Sequence, residues 1–163
     1  MATSCLLVMS ANGIAQKDYS KSEGLLQYVD PTIGSGYHGH VFVGTSVPYG
    51  MVQLGPSNIH HSDSIVIGFS HTHLSGTGCT DLGDILIMPL NEIRTPRGNQ
   101  DDIRDGYASK YSHANEVTRP EYYSLVLDRY NIKAELTATD RVGFHRYTYP
   151  QGKPASILID LRE

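Results

Sequence analysis

The residues best equipped for chemistry lie between Gly68 and Asp84, in the run GFSHTHLSGTGCTDLGD. Two histidines, a cysteine, two aspartates and several hydroxyls sit among glycines, in a stretch too polar for ordinary core. Glycine within a strand-like run marks a bulge or a close backbone approach, and binding residues collect on loops held by a rigid scaffold. Imidazoles are good partners for hydroxyl groups at neutral pH, so His71 and His73 are candidates to contact a hydroxyl-rich ligand. Asp81 is read as an acceptor for hydroxyls or as a turn residue, and Asp84 as the turn before the apolar run that starts at Ile85. The aspartates do not form a hydrolytic acid/base pair. Inverting glycoside hydrolysis wants carboxyl groups roughly 6.5–9.5 Å apart across the sugar. Three residues apart, Asp81 and Asp84 point to opposite faces of a strand or crowd together on a helical turn.

Other histidines offer weaker signals. His38-Gly39-His40 and His71-Thr72-His73 each place two imidazoles two residues apart, on one side of a strand. A metal centre needs a third and fourth ligand, so a metal-dependent hydrolase on these four histidines is the weakest reading. Cys79 would need a general base beside it to act as a nucleophile. No nucleophile elbow, phosphate-binding loop or dinucleotide fingerprint occurs.

The elements that position the cluster are strands. Ile65 to Phe69 leads into it, and Ile85-Leu86-Ile87-Met88-Pro89 leads away as a buried strand. Val41-Phe42-Val43 is a short strand candidate, and Asn91 to Asn115 is loop-rich. In the last third, Tyr122 to Tyr130, Lys133 to Thr139, Gly143 to Tyr149 and Ala155 to Leu161 alternate with period two. Short breaks separate them, the pattern of a meander within an antiparallel β-sandwich. No segment holds a helical period over three turns. The expected fold is all-β.

Composition narrows the function further. A chain of 163 residues is one domain by size, with net charge −4 and no clustering of its 13 Lys and Arg; nucleic acid is therefore not an expected partner. Met1 to Gln16 reads as a signal peptide with an apolar core at Cys5–Met9, although no Lys or Arg precedes that core. Residues 17–27 read as a linker and 28–163 as the sandwich domain, incomplete at its C-terminal end. With the leader removed, Cys79 alone remains and no disulfide framework exists. No later stretch approaches the roughly 18 apolar residues of a membrane span.

Three ordered blocks carry a resemblance. Tyr28 to Gly34 (YVDPTIG), Gly44 to Pro56 (GTSVPYGMVQLGP) and Gly68 to Gly76 (GFSHTHLSG), the last followed by Gly78-Cys79, resemble the N-terminal domain of glycoside hydrolase family 92. These are calcium-dependent, inverting exo-α-mannosidases, and the likeness runs from about Tyr28 to Leu161. It implies a β-sandwich joined to a large (α/α)6 barrel. The catalytic carboxylates and the Ca2+ site would belong to that barrel. The chain would then be the N-terminal, carbohydrate-contacting part of a periplasmic or secreted bacterial enzyme that trims terminal mannose from glycans. Its partners would be an α-mannoside and the barrel of the same parent chain. The resemblance turns the Gly68–Asp84 loop toward the terminal mannose, with Phe69, Ser70, His71, His73, Cys79 and Asp81 as candidate contacts, and no catalytic or metal-binding residue in this piece. The alternative is a free-standing mannoside-binding sandwich, which would leave no large apolar patch uncovered.

Overall fold

Period-two alternation builds most of the observed sheet. The computed structural model describes residues 24–58, 64–76, 84–92 and 106–161. Ten strands lie among the described residues: β1 (Gly55–Ser57), β2 (Ile65–Val66), β3 (Gly68–Ser70), β4 (Leu86–Leu90), β5 (Ser109–Lys110), β6 (Val117–Arg119), β7 (Tyr122–Leu127), β8 (Ile132–Ala138), β9 (Gly143–Thr148) and β10 (Ser156–Asp160). One sheet runs β1-β3-β4-β10, the other β6-β7-β8-β9, and β2 and β5 form a short separate ladder. Every pairing is antiparallel. Among the described residues the only helical pieces are 3-10 turns at Leu25–Tyr28 and His113–Asn115. The protein is all-β, as expected.

The second sheet is a meander with tight corners. Asn131 turns β7 into β8 in the left-handed region (φ 49°), which asparagine tolerates better than most residues. On β8, Ile132, Ala134, Leu136 and Ala138 point into the core. On β9 the inward face carries Gly143, His145 and Tyr147, while Phe144, Arg146 and Thr148 face out. Tyr147 packs against Phe69 of the opposite sheet, ring centres 6.1 Å apart. One continuous core joins the two sheets, from Phe69, Leu86 and Met88 to Leu125, Leu127 and Leu136.

Two sequence expectations are corrected. The fourth run of the last third does not continue the meander, because β10 crosses to the first sheet and pairs with β4, Asp160 opposite Leu86 and Ser156 opposite Leu90. Residues 149–155 contain Pro150 and Pro154, too long and too stiff a connection for a two-residue hairpin turn. Pairing with β10 also satisfies the edge of β4, which would otherwise present unpaired backbone groups. The side chain of Asp160 fixes the crossing strand, accepting a hydrogen bond from buried Tyr107 at 2.9 Å. Val41–Val43, the other correction, forms no strand. Its neighbour Thr45 makes only an isolated bridge to Leu54, because the segment is held instead by loop contacts described below.

The outer face of β10 is apolar. Ile157, Ile159 and Leu161 are 57%, 58% and 71% exposed, and Ile85, beside the start of β4, is half exposed. By register these four side chains follow one another along one face of the β4-β10 ladder.

Candidate functional site

Two sides of the core anchor the polar loop. It begins in β3, where Gly68 adopts φ 158° and a Cβ would lie 2.7 Å from the Leu86 side chain. Only glycine lets β3 approach β4 so closely. Phe69 and Ser70 follow, both fully buried. Beyond β3 the chain is tied down by backbone: Gln53 N–H donates to His71 O at 2.9 Å, and Gly76 N–H donates to His40 O at 2.6 Å. Ser75 Oγ accepts from the Phe42 amide at 3.2 Å. The loop therefore has a defined seat against residues 40–42 and 53.

The two loop histidines go different ways. His73 turns inward and is 7% exposed. Its Nδ1 lies 2.8 Å from the Gln53 carbonyl oxygen, which can only accept, so Nδ1 carries the hydrogen. Nε2 must then accept, and Ser70 Oγ, 3.3 Å away, supplies the donor. The Thr72 carbonyl oxygen is a longer, alternative acceptor for the same hydroxyl at 3.5 Å; with its hydrogen toward His73, Ser70 accepts from Ser57 Oγ at 2.9 Å. Ser57, Ser70, His73 and the Gln53 carbonyl form one buried relay, covered by the Phe42 ring 4.8 Å from the His73 ring. Buried polar groups are bonded in this way because an orphaned one costs its full desolvation.

His71 instead reaches across the sandwich to β9. Its Nε2 lies 3.2 Å from Nε2 of His145, and Nδ1 of His145 lies 2.7 Å from the Tyr147 hydroxyl. Gly143 makes room for this, since a Cβ there would fall 2.5 Å from Cδ2 of His71. Burial, reinforced by His71, holds His145 down at about 4. Burial, with a contribution from His73, also lowers His71. Both imidazoles are neutral at pH 7. At the end of the loop, Thr72 Oγ1 donates to Asp84 Oδ2 at 2.6 Å, so Asp84 serves as the turn before β4 that its position implies.

Of the six candidate residues, Phe69, Ser70 and His73 are interior and act on the loop from below. His71 is half-exposed at its surface, and Cys79 and Asp81 lie outside the described residues. The H-x-H pairs do not converge. His38 and His40 sit in an irregular turn with ring centres 6.1 Å apart, and His71 and His73 face opposite surroundings. Among the described residues no three His, Cys, Asp or Glu side chains gather as a metal site. Calcium wants six to eight oxygens, and this donor set does not fit it. Sequence reasoning missed His145 and Tyr147. The available signal was their period-two placement with Gly143 on the inward face of β9, where polar side chains need partners.

Known proteins decide the family. The model of the glycosyl hydrolase family 92 N-terminal domain matches residues 28–163. The chain belongs to glycoside hydrolase family 92. It is similar to the family 92 α-mannosidase of Bacteroides thetaiotaomicron solved with mannoimidazole, with TM-score 0.76 and 38% identity over 83% of this chain and 19% of that one. The family 92 glycosyl hydrolase ccman5 superposes with TM-score 0.70 at 27% identity, over 85% of this chain and 20% of that one. An uncharacterised secreted glycosidase of Arthroderma benhamiae is 31% identical over 158 residues, 85% of this chain and 20% of that protein. This family 92 domain thus spans about a fifth of the length of these relatives. No helix among its described residues is long and apolar enough to cross a membrane.

Proposed function

We propose that the chain is the non-catalytic, carbohydrate-facing sandwich of an exported, inverting, calcium-dependent exo-α-mannosidase that removes terminal mannose from glycans. One observation carries the reading: at 38% identity the chain superposes on about a fifth of an α-mannosidase solved with mannoimidazole. The secreted relative supports export, and a bacterial periplasmic or extracellular location follows the signal-peptide pattern at residues 1–16.

In this reading the loop from Gly68 to Asp84 borders the mannose site. His71 touches the sugar, Phe69, Ser70 and His73 hold the loop in shape, and Cys79 and Asp81 remain candidate sugar contacts. The chain's part in the reaction is binding and orientation. Proton transfer and calcium belong to an (α/α)6 barrel in the parent protein. The apolar strip of Ile85, Ile157, Ile159 and Leu161 supports a docked barrel over a free-standing binding module, because contiguous exposed apolar surface marks a protein contact.

The test is mannose release from α-mannosides by the purified 163-residue chain, with and without calcium. No release is expected in either condition. Calcium-dependent release by the chain alone would overturn the assignment of catalysis to another domain.

A further inference from the structure

Tyr147 and His145 lie behind the loop and take no part in its backbone anchoring, yet their hydrogen bonds determine what His71 can offer. Tyr147 is the inner, part-buried end of the series. Burial, with a contribution from Tyr149, pushes its phenol well above the ordinary range, so it keeps its hydrogen. Among the described residues its hydroxyl has one hydrogen-bond partner, Nδ1 of His145 at 2.7 Å. A part-buried phenol that keeps its hydrogen and has one acceptor among the described residues donates to it; in the reverse arrangement its O–H would have no protein partner there. His145 then accepts at Nδ1 and, being neutral, carries its hydrogen on Nε2. That hydrogen faces Nε2 of His71, 3.2 Å away, which must accept. Neutral His71 is left with its hydrogen on Nδ1, where no described residue accepts it.

We infer that Tyr147 and His145 are positioning residues that lock His71 in the Nδ1–H tautomer, so that the loop presents a hydrogen-bond donor to an acceptor oxygen of a sugar. The sugar-facing half of this inference rests on the proposed function; the tautomer does not. The arrangement suits its task. A neutral imidazole fixed from behind donates in one direction, without the reorientation that an unsupported ring would undergo on binding. Gly143 contributes by letting the His71 ring lie close against β9, where a Cβ would come within 2.7 Å of Nε2.

The experiment is long-range proton–nitrogen NMR of the imidazoles in the uniformly labelled chain at pH 7, first without sugar. Hydrogens are expected on Nδ1 of His71 and Nε2 of His145. Tyr147→Phe removes one oxygen and keeps the ring against Phe69, and it should release both histidines into mixed tautomers. An Nε2–H tautomer for His71 in the wild type, or a Tyr147→Phe variant with unchanged nitrogen shifts, would overturn the relay. The wild-type spectrum decides this even if the variant fails to fold. Methyl α-mannoside is then titrated into both proteins, and Tyr147→Phe should weaken binding about fivefold, the loss of one oriented hydrogen bond. Correct tautomers with equal binding by the two proteins, or with none by the wild type, would overturn the sugar-facing half alone.

Discussion

Removing the Ser70 hydroxyl should damage the protein more than the loss of one oxygen atom implies. Ser70 is fully buried, donating to His73 Nε2 at 3.3 Å and accepting from Ser57 Oγ at 2.9 Å. In Ser70→Ala both neighbours lose a hydrogen bond where water cannot replace it. An orphaned buried polar group costs about 1–3 kcal/mol. The His73 contact is long and the Ser57 hydroxyl can rotate, so the two together should cost about 2–3 kcal/mol. Ser57→Ala in that background removes one orphan, so the double variant should be no less stable than Ser70→Ala alone. The assay is urea unfolding followed by circular dichroism and tyrosine fluorescence, the chain having 11 tyrosines and no tryptophan. With a urea dependence of about 2 kcal/mol per molar, the midpoint should fall by roughly 1–1.5 M. A single variant within about 0.5 kcal/mol of wild type, or additive losses in the double variant, would refute the relay.

Three further outcomes follow from other parts of the molecule. Glu135 is held at about 2, below its ordinary 4.5, chiefly by the Arg146 guanidinium and then by Tyr122 and Lys133, against the opposing effect of burial. A depressed carboxyl stabilises the fold above pH 4.5 and loses that contribution as pH falls toward 2. Because Arg146 is 64% exposed and solvent screens the pair, Glu135→Gln should cost only about 1–2 kcal/mol at pH 7. Melting curves of the two proteins should converge near pH 2, and a constant gap at all pH values would contradict the assignment. Gly143→Ala places a methyl 2.5 Å from His71 Cδ2 and should displace that ring at a cost of about 1–3 kcal/mol; a crystal structure with the His71–His145 contact intact would count against it. Sedimentation should show self-association of the wild type with concentration and a monomer for Ile157→Ser/Ile159→Ser, since those side chains form the exposed strip. A monomeric wild type throughout would remove the strip as a contact surface.

Local pattern carried the reading furthest where pairing is local. Tyr122 to Tyr149 largely alternates, most regularly along β9, and folds back through turns such as Asn131, so β7, β8 and β9 could be placed from sequence. Ala155 to Leu161 was recognisable as a strand, but its partner was not. β10 crosses to β4 because of a stiff connection and an open edge, neither of which alternation encodes. Val41–Val43 had strand-forming side chains and no ladder to join. Within the site, the glycine at 68 correctly marked a close approach to Leu86. The opposite fates of His71 and His73 were not legible: they depend on Gln53 and Ser57 from one part of the chain and on His145 from another. Three-dimensional proximity, rather than residue type, separates the inward imidazole from the half-exposed one.

The most direct test of the account is an NMR titration of the chain with methyl α-mannoside, with methyl α-glucoside as the control. The account predicts saturable shifts of the His71 imidazole and the Gly76 amide with the mannoside, at millimolar affinity, about 4 kcal/mol of binding, and much smaller shifts with the glucoside. Unmoved loop resonances, or equal responses to the two sugars, would contradict the claim that this loop recognises mannose.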